Sequence, residues 1–307
     1  GFHIPRYAQN FAAVVRSIKG ARLVSEAETP STLSSTGVAL NDRRMPLVLE
    51  HMGSTTCVHT NPVGVNFDYI ESLAKAPETA ERVREIRAEM GDAKLILSVS
   101  RTDYTKGNIE QLEAFARLLE RRPDLRGQVR LMLVSVGANR NMTAYAEVQD
   151  AIEGLAGRIN GSYGSFDWQP VTLVSQAIPL AQLVAYYRAA DMASITPLAD
   201  GLNLVASEFC AARDLTHPGA LILSEFAGCA VLLDGAIPVN PFSHASMDSG
   251  LEQALCMGME EASARMAALR RSARTWDISA WTRSEMAHFR TLQRERHGTG
   301  PEVAPAA

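Results

Sequence analysis

The chain has 307 residues, 46% hydrophobic and 21% charged, with a formal net charge of −4. That is ordinary soluble globular composition, long enough for one large or two medium cores. Acids and bases are mixed without long single-sign runs, no apolar run reaches the roughly 20 residues of a membrane span, and no signal peptide opens the chain; a nucleic-acid groove, a membrane surface and a membrane anchor are not expected.

The chain opens on Gly1-Phe2-His3-Ile4-Pro5 rather than Met, which reads as the middle of a fold, so an N-terminal portion is expected to precede it. A helix is predicted from Arg6 to Ile18, then polar loops and strands around Leu47–Glu50 and Cys57–Thr60. Asn61-Pro62-Val63-Gly64-Val65 ends this part, and the charged stretch Glu71–Met90 reads as a helix bridging into the next. From Lys94 to Asn240, short β-branched runs alternate with amphipathic helices. The runs are Leu95–Val99, Val129–Val134, Val171–Val174, Ala193–Ile195, Leu221–Leu223 and Ile237–Val239. Between the first two, Ile109, Leu112, Phe115, Ala116, Leu118 and Leu119 recur at helical spacing, and Pro123 lies just beyond the helix end. Ala144–Ile159, Leu180–Ala190 and Leu204–Arg213 read as further helices. This alternation predicts a doubly wound parallel sheet, with ligands beyond the carboxyl ends of its strands. An Ala/Met-rich helix and a last helix near Trp281–Arg296 follow, and the Pro/Gly/Ala-rich tail Gly298–Ala307 is expected to be disordered. The four cysteines, Cys57, Cys210, Cys229 and Cys256, form no CxxC. Cys210 and Cys229 sit in apolar stretches and read as reduced core residues, giving a cytoplasmic expectation.

Two segments after strands carry chemistry. The first is Ser100-Arg101-Thr102-Asp103-Tyr104-Thr105-Lys106-Gly107. Two cations and a glycine at a strand-to-helix turn can hold an anion: Arg101 offers a bidentate fork, Lys106 a movable point charge, and helix-terminal amides add partial positive charge. A solvated turn with surface cations is the alternative. The second runs from Thr196 to Glu208. Gly201 permits close backbone approach, Asn203 can cap the following helix, and the amides of Leu204 and Val205 then point outward as a diphosphate requires. Glu208, one turn in, can accept hydrogen bonds from two ribose hydroxyls, or can be a surface helix acid. His3, His51 and His59 have no ligand partners at useful spacing, so neither a metal nor another cofactor is expected.

The pair R-x-D-Y-x-K-G (Arg101–Gly107) and D-G-x-N-L-V-x-x-E (Asp200–Glu208) resembles, in order and separation, the trehalose-6-phosphate synthase family of retaining glycosyltransferases. Gly157–Gly161, Asp167–Pro170, Ser224–Gly228 and Val239–Pro241 reinforce the likeness, which covers Gly1 to about Arg296. Gly1–Tyr7 and Ser246-Met247-Asp248 look more like the branch that joins glucose from ADP-glucose to glycerol 3-phosphate, a compatible-solute synthesis.

The resemblance implies an α/β fold of two Rossmann-like domains, GT-B type, with the active site in the cleft between them. The N-terminal domain is expected to be incomplete and the C-terminal doubly wound sheet complete. Residues 1–75 would be the remnant of the acceptor domain and 76–262 the nucleotide-sugar donor domain. Residues 263–297 would be helices returning to the N-terminal domain, and 298–307 a disordered tail. Arg101 and Lys106 would neutralise the donor diphosphate. Asp200, with the amides at Gly201 and Leu202, would contact glucose hydroxyls. Asn203, Leu204 and Val205 would shape the phosphate site, Glu208 would hold the ribose, and Ile178 would border the base.

Departures from the family bear on specificity. Asn139, with Arg140 beside it, stands where trehalose-type members carry an arginine for the acceptor phosphate. Leu180 stands where they carry one near the base. The implied partners are a nucleotide sugar, ADP-glucose or UDP-glucose, and a phosphorylated acceptor; a homo-oligomer stays open. The family's N-terminal segment supplies a glycine-rich loop, a pocket histidine and most acceptor contacts, so the chain alone is expected to be inactive. The alternatives are trehalose-6-phosphate synthesis from UDP-glucose and glucose 6-phosphate, and a non-catalytic sugar-nucleotide-binding homologue.

Overall fold

The computed structural model describes residues 1–29, 38–137 and 143–297. Its first helix, α1 (Pro5–Lys19), starts on a proline, whose missing N–H is no loss at a helix start, and closes on Gly20 at φ +66°. Ala8 and Ala12 are its buried side, packed with Leu49 and Val58. The partner is an antiparallel sheet in the order β1 (Arg22–Glu28), β2 (Arg44–His51), β3 (Ser54–Cys57). β1 was not foreseen. It carries three charges and no buried residue, and it is held by pairing with β2, including the cross-strand ion pairs Arg22–Glu50 and Glu26–Arg44. β3 also comes earlier than Cys57–Thr60. Met52 and Gly53 both take positive φ, making a two-residue turn that sets His51 opposite Ser54.

The expected single helix Glu71–Met90 is two, α2 (Phe67–Ala74) and α3 (Pro77–Met90). Pro77 cannot supply an amide to a continuing helix and instead begins a new one.

Six parallel strands follow in the order β6-β5-β4-β7-β8-β9: β4 (Lys94–Arg101), β5 (Val129–Val136), β6 (Val171–Val174), β7 (Met192–Ile195), β8 (Ala220–Ser224) and β9 (Ile237–Val239). Side chains alternate between two cores. Leu95 and Leu97 enter one with residues of α2, α3, α6 (Leu180–Ala189), α7 (Leu204–Ala212) and α9 (Met259–Thr275). Ile96 enters the other, with α4 (Asn108–Arg121), α5 (Thr143–Tyr163) and α8 (His244–Cys256). The sheet is therefore doubly wound. Its strand order reverses between β4 and β7, and the crevice beyond their carboxyl ends is where such sheets bind ligands.

The Ala/Met-rich segment forms two helices, α8 and α9, separated at Met257-Gly258. α9 packs Met266, Leu269 and Ala273 into the core shared with α7, so residue 262 falls inside a helix of the parallel-sheet part. The chain crosses back at the α9–α10 junction. There Gly64 passes so close to the Trp276 carbonyl that a Cβ would collide, and the Ile278 amide donates to the Val65 carbonyl at 3.0 Å. Helix α10 (Ile278–His297) then meets the N-terminal part. The Asn61 amide donates to Glu285 at 2.7 Å, His59 Nε2 lies 3.1 Å from the same oxygen, and the His59 and His288 rings are 4.1 Å apart.

All four cysteines are free, with Cys210 and Cys229 buried. Among the described residues no helix is long and apolar enough to cross a membrane. The tail at 298–307 lies outside them.

Candidate functional site

The loop after β4 is built to stand against the loop after β7. Asp103 accepts from the Thr105 amide and hydroxyl, both at 2.9 Å, and so caps a 3-10 turn over Tyr104–Lys106. Gly107 ends that turn at φ +69°, where a Cβ would strike the Thr196 carbonyl oxygen. The Thr105 carbonyl accepts from the amides of Leu198 and Ala199 at 2.8 and 3.3 Å. Beneath lies a buried polar layer, in which the Thr102 hydroxyl lies 2.9 Å from Ser135 Oγ and donates to Gln149 at 2.8 Å.

These contacts bring Lys106 onto Asp200. The ammonium donates to Asp200 Oδ2 at 2.8 Å, and both side chains are largely buried. The same carboxylate accepts from Asn203 Nδ2 at 3.1 Å and from the Leu202 amide at 3.3 Å. Asn203, at φ +71°, caps α7 by accepting from the Ala206 amide. The amides of Leu204 and Val205 have no partner among the described residues and form the open positive end of α7. Gly201 contributes its carbonyl to a tight passage, since a Cβ on Gly228 would strike it.

Glu208 lies one turn further along α7. The hydroxyl of buried Tyr187 donates to Glu208 Oε2 at 2.8 Å. Burial pushes the Glu208 carboxyl above the ordinary glutamate range, and the Tyr187 hydrogen bond opposes that shift.

Arg101 ends β4 at the same side of the sheet. It is exposed, and its guanidinium has no partner among the described residues, so nothing yet joins it to the Lys106–Asp200 pair. Ile178 is half-buried in the loop after β6 and packs on the core beneath α6. Asn139 and Arg140 lie outside the described residues. A cavity of about 410 Å³ lined by Thr102, Gly137, Tyr145, Gln149, Glu153 and Ser175 opens beyond the ends of β4, β5 and β6. Leu180 is the first residue of α6. No group of three or more metal-ligating side chains occurs among the described residues.

Two participants were missed from sequence. Tyr187 reads as a core aromatic within an apolar helix. Tyr7, on α1, donates its hydroxyl to the Asp200 carbonyl at 3.1 Å across 193 residues. Burial first, then the charge of Asp200, raises the Tyr7 pKa, so the group remains a donor. No local pattern marks either.

Three comparisons bear on this geometry. The family model described as glycosyltransferase family 20 matches residues 1–291. The chain is similar to a glucosylglycerol-phosphate synthase of a Synechocystis species, 39% identical over 281 residues, covering 92% of this chain and 56% of the relative. A trehalose-6-phosphate synthase of Cronobacter sakazakii is 35% identical over 229 residues, covering 75% of this chain and 48% of that one. The chain thus spans about half the length of these relatives. Among solved structures, an α,α-trehalose-phosphate synthase (UDP-forming) from Burkholderia xenovorans in complex with glucose-6-phosphate matches with a TM-score of 0.83 at 33% identity, over 94% of this chain and 60% of that one. The architecture is that of a GT-B fold, of which this chain presents the six-stranded parallel domain and part of the other. With its sheet, its two loops and nearly its whole length matched, the chain belongs to glycosyltransferase family 20.

Proposed function

We propose that the protein is a retaining glucosyltransferase that moves glucose from a nucleotide sugar, ADP-glucose in preference to UDP-glucose, to glycerol 3-phosphate, giving glucosylglycerol phosphate. The observation that carries this reading is the Lys106–Asp200 pair set directly before the open amino end of α7. A departing diphosphate develops negative charge, and a fixed cation beside unpaired helix amides stabilises that charge as it forms. On this reading Lys106 and Arg101 take the diphosphate, and Asp200 with the amides of Gly201 and Leu202 takes the glucose hydroxyls. The amides of Leu204 and Val205 take phosphate, Glu208 the ribose hydroxyls, and Ile178 borders the base. The part built on the parallel sheet, with α2 and all of α9, forms the donor side, and α1 with the antiparallel sheet forms part of the acceptor side, with the acceptor phosphate near Asn139 and Arg140.

Similarity to the Synechocystis relative supports the glycerol 3-phosphate acceptor, as do Gly1–Tyr7 and the loss of two arginines at Asn139 and Leu180. The second reading, trehalose 6-phosphate synthesis from UDP-glucose and glucose 6-phosphate, is favoured by the likeness to the Burkholderia structure. The test assays the whole protein with both donors and both acceptors. Glucosylglycerol phosphate formed from ADP-glucose is the expected product. Efficient trehalose 6-phosphate synthesis with glycerol 3-phosphate inert would replace this reading with the second, and binding without transfer would make the protein a non-catalytic homologue.

A further inference from the structure

A cavity of about 490 Å³, larger than the one beside the cleft, lies at the opposite end of the parallel sheet. It is lined by the first residues of β4, β7 and β8, by the segment after α7, and by the α8–α9 junction. Part of its wall is apolar, with Ala254, Met257 and Met259. Among its charged lining residues, Arg87, Lys94, Arg188 and Arg213 stand against the single acid Asp191.

Two of those cations are matched. Arg87 forks onto Asp191 at 2.9 and 3.0 Å, and Arg188 pairs with Asp214. The other two touch only neutral oxygens. The Lys94 ammonium donates to the Leu255 carbonyl at 2.6 Å. Arg213, 4% exposed, donates to the carbonyls of Tyr187, Arg188, Ala190, His217 and Pro218. Neither has a carboxylate at ion-pair distance among the described residues. Carbonyl dipoles satisfy donors but add no charge, and the carboxylates that act on Arg213 from further off, Asp191 and Asp214, are already paired with Arg87 and Arg188. Buried Arg213 and exposed Lys94 therefore leave the cavity with a surplus of positive charge that an anion would balance. Burial pushes the Arg213 guanidinium down to about 10, the direction such a cation takes.

We propose that this cavity is a second anion site, separate from the cleft, which takes a small organic phosphate. The phosphate sits towards Lys94 and Arg213 and the body of the ligand rests against Met257 and Met259. The methionines distinguish this from a bare phosphate site, because flexible thioether side chains pack on a ligand body of irregular shape. The proposal does not depend on the activity proposed above.

The test is calorimetric titration of the whole protein with phenyl phosphate at constant ionic strength, in an Arg101→Ala, Lys106→Ala, Arg140→Ala background that removes the cations assigned above to the donor diphosphate and the acceptor phosphate. One saturable site is expected, with inorganic phosphate binding there more weakly than phenyl phosphate. Lys94→Met should weaken binding about tenfold or more, the size of one charge-assisted contact. Met259→Glu places a negative charge at the mouth of the cavity on a residue 63% exposed, at a helix start that tolerates an acid, so folding is preserved while binding falls. Absence of saturable binding in the cleft-depleted background, or binding indifferent to both substitutions in proteins that melt normally, overturns the proposal.

Discussion

The Lys106 ammonium and the Asp200 carboxylate, 94 residues apart in sequence, form a 2.8 Å ion pair with only 15% and 14% of their side chains exposed. The cation proposed for the diphosphate is thus oriented by the acid proposed for the sugar. Lys106→Ala removes a preorganised charge and leaves Asp200 with only Asn203 and the Leu202 amide. Turnover of the whole protein is expected to fall about 100-fold or more. Steady-state kinetics check this, and unchanged kcat would remove Lys106 from the mechanism.

The raised pKa of Glu208 gives a pH dependence with a definite sign. The fold favours the protonated form, so the contribution of Glu208 to stability is greatest below the ordinary glutamate pKa. It declines as pH rises through the higher folded value. On the role proposed for Glu208, ribose binding needs the carboxylate, so donor affinity should fall on acidification earlier than an unperturbed glutamate would dictate. Tyr187→Phe removes the hydrogen bond that opposes the shift and should move that acid limb to higher pH. Donor Kd measured across pH for both proteins decides it, and a limb moving to lower pH contradicts the account.

Gly107 and Gly20 have nearly the same backbone conformation, φ 69°, ψ 23° and φ 66°, ψ 23°, but different surroundings. A Cβ on Gly20 meets nothing within 4 Å, whereas on Gly107 it collides with the Thr196 carbonyl. Gly20→Ala should therefore destabilise by about 1 kcal/mol, the left-handed penalty alone. Gly107→Ala should exceed it by roughly 1–3 kcal/mol, because overpacking adds to the strain. Denaturant titration of the two variants tests the difference, and equal losses would mean that the two loops are not in firm contact.

Glu285 links α10 to the N-terminal part. Its hydrogen bond from Asn61 is the main cause that holds its pKa below the ordinary range, against partial burial and with help from His59. A depressed carboxylate stabilises above its unfolded pKa, and the contribution is lost as pH falls through the folded value. Glu285→Gln should flatten the acid side of the stability profile while changing stability near neutrality in the direction of loss. Thermal melts across the acid range measure this, and a variant as acid-sensitive as the parent would exclude Glu285 as the cause.

Much of the parallel domain was legible because its central strands are buried on both faces: the apolar runs Ala193–Ile195 and Leu221–Leu223 fall within β7 and β8, which are buried along their whole length. The edge strands Val171–Val174 and Ile237–Val239 also match end to end, although Thr172 and Pro238 are exposed. β1 was invisible because Arg22–Glu28 buries nothing and is fixed by a partner 16 or more residues away. The break at Pro77 was available in the sequence but was overridden by the helical composition around it. At the site, the two loops could be read from residue types, because glycines, an Asn cap and cations at strand ends have local causes. The Tyr7 and Tyr187 hydroxyls could not. Each acts on a group brought to it by tertiary packing, 193 and 21 residues distant.

The oxygen to which Tyr7 donates belongs to the peptide of Asp200, which also accepts from the Gly228 amide at 3.0 Å; the carboxylate takes no part. Position 200 therefore fastens two levels of the loop at once. Its main chain ties the loop to α1 and to the turn after β8 whatever side chain it carries, while its carboxylate gathers Lys106, Asn203 and the Leu202 amide on the inner side. A substitution at 200 would thus leave the outer anchors standing and release the cation and the cap of α7 together.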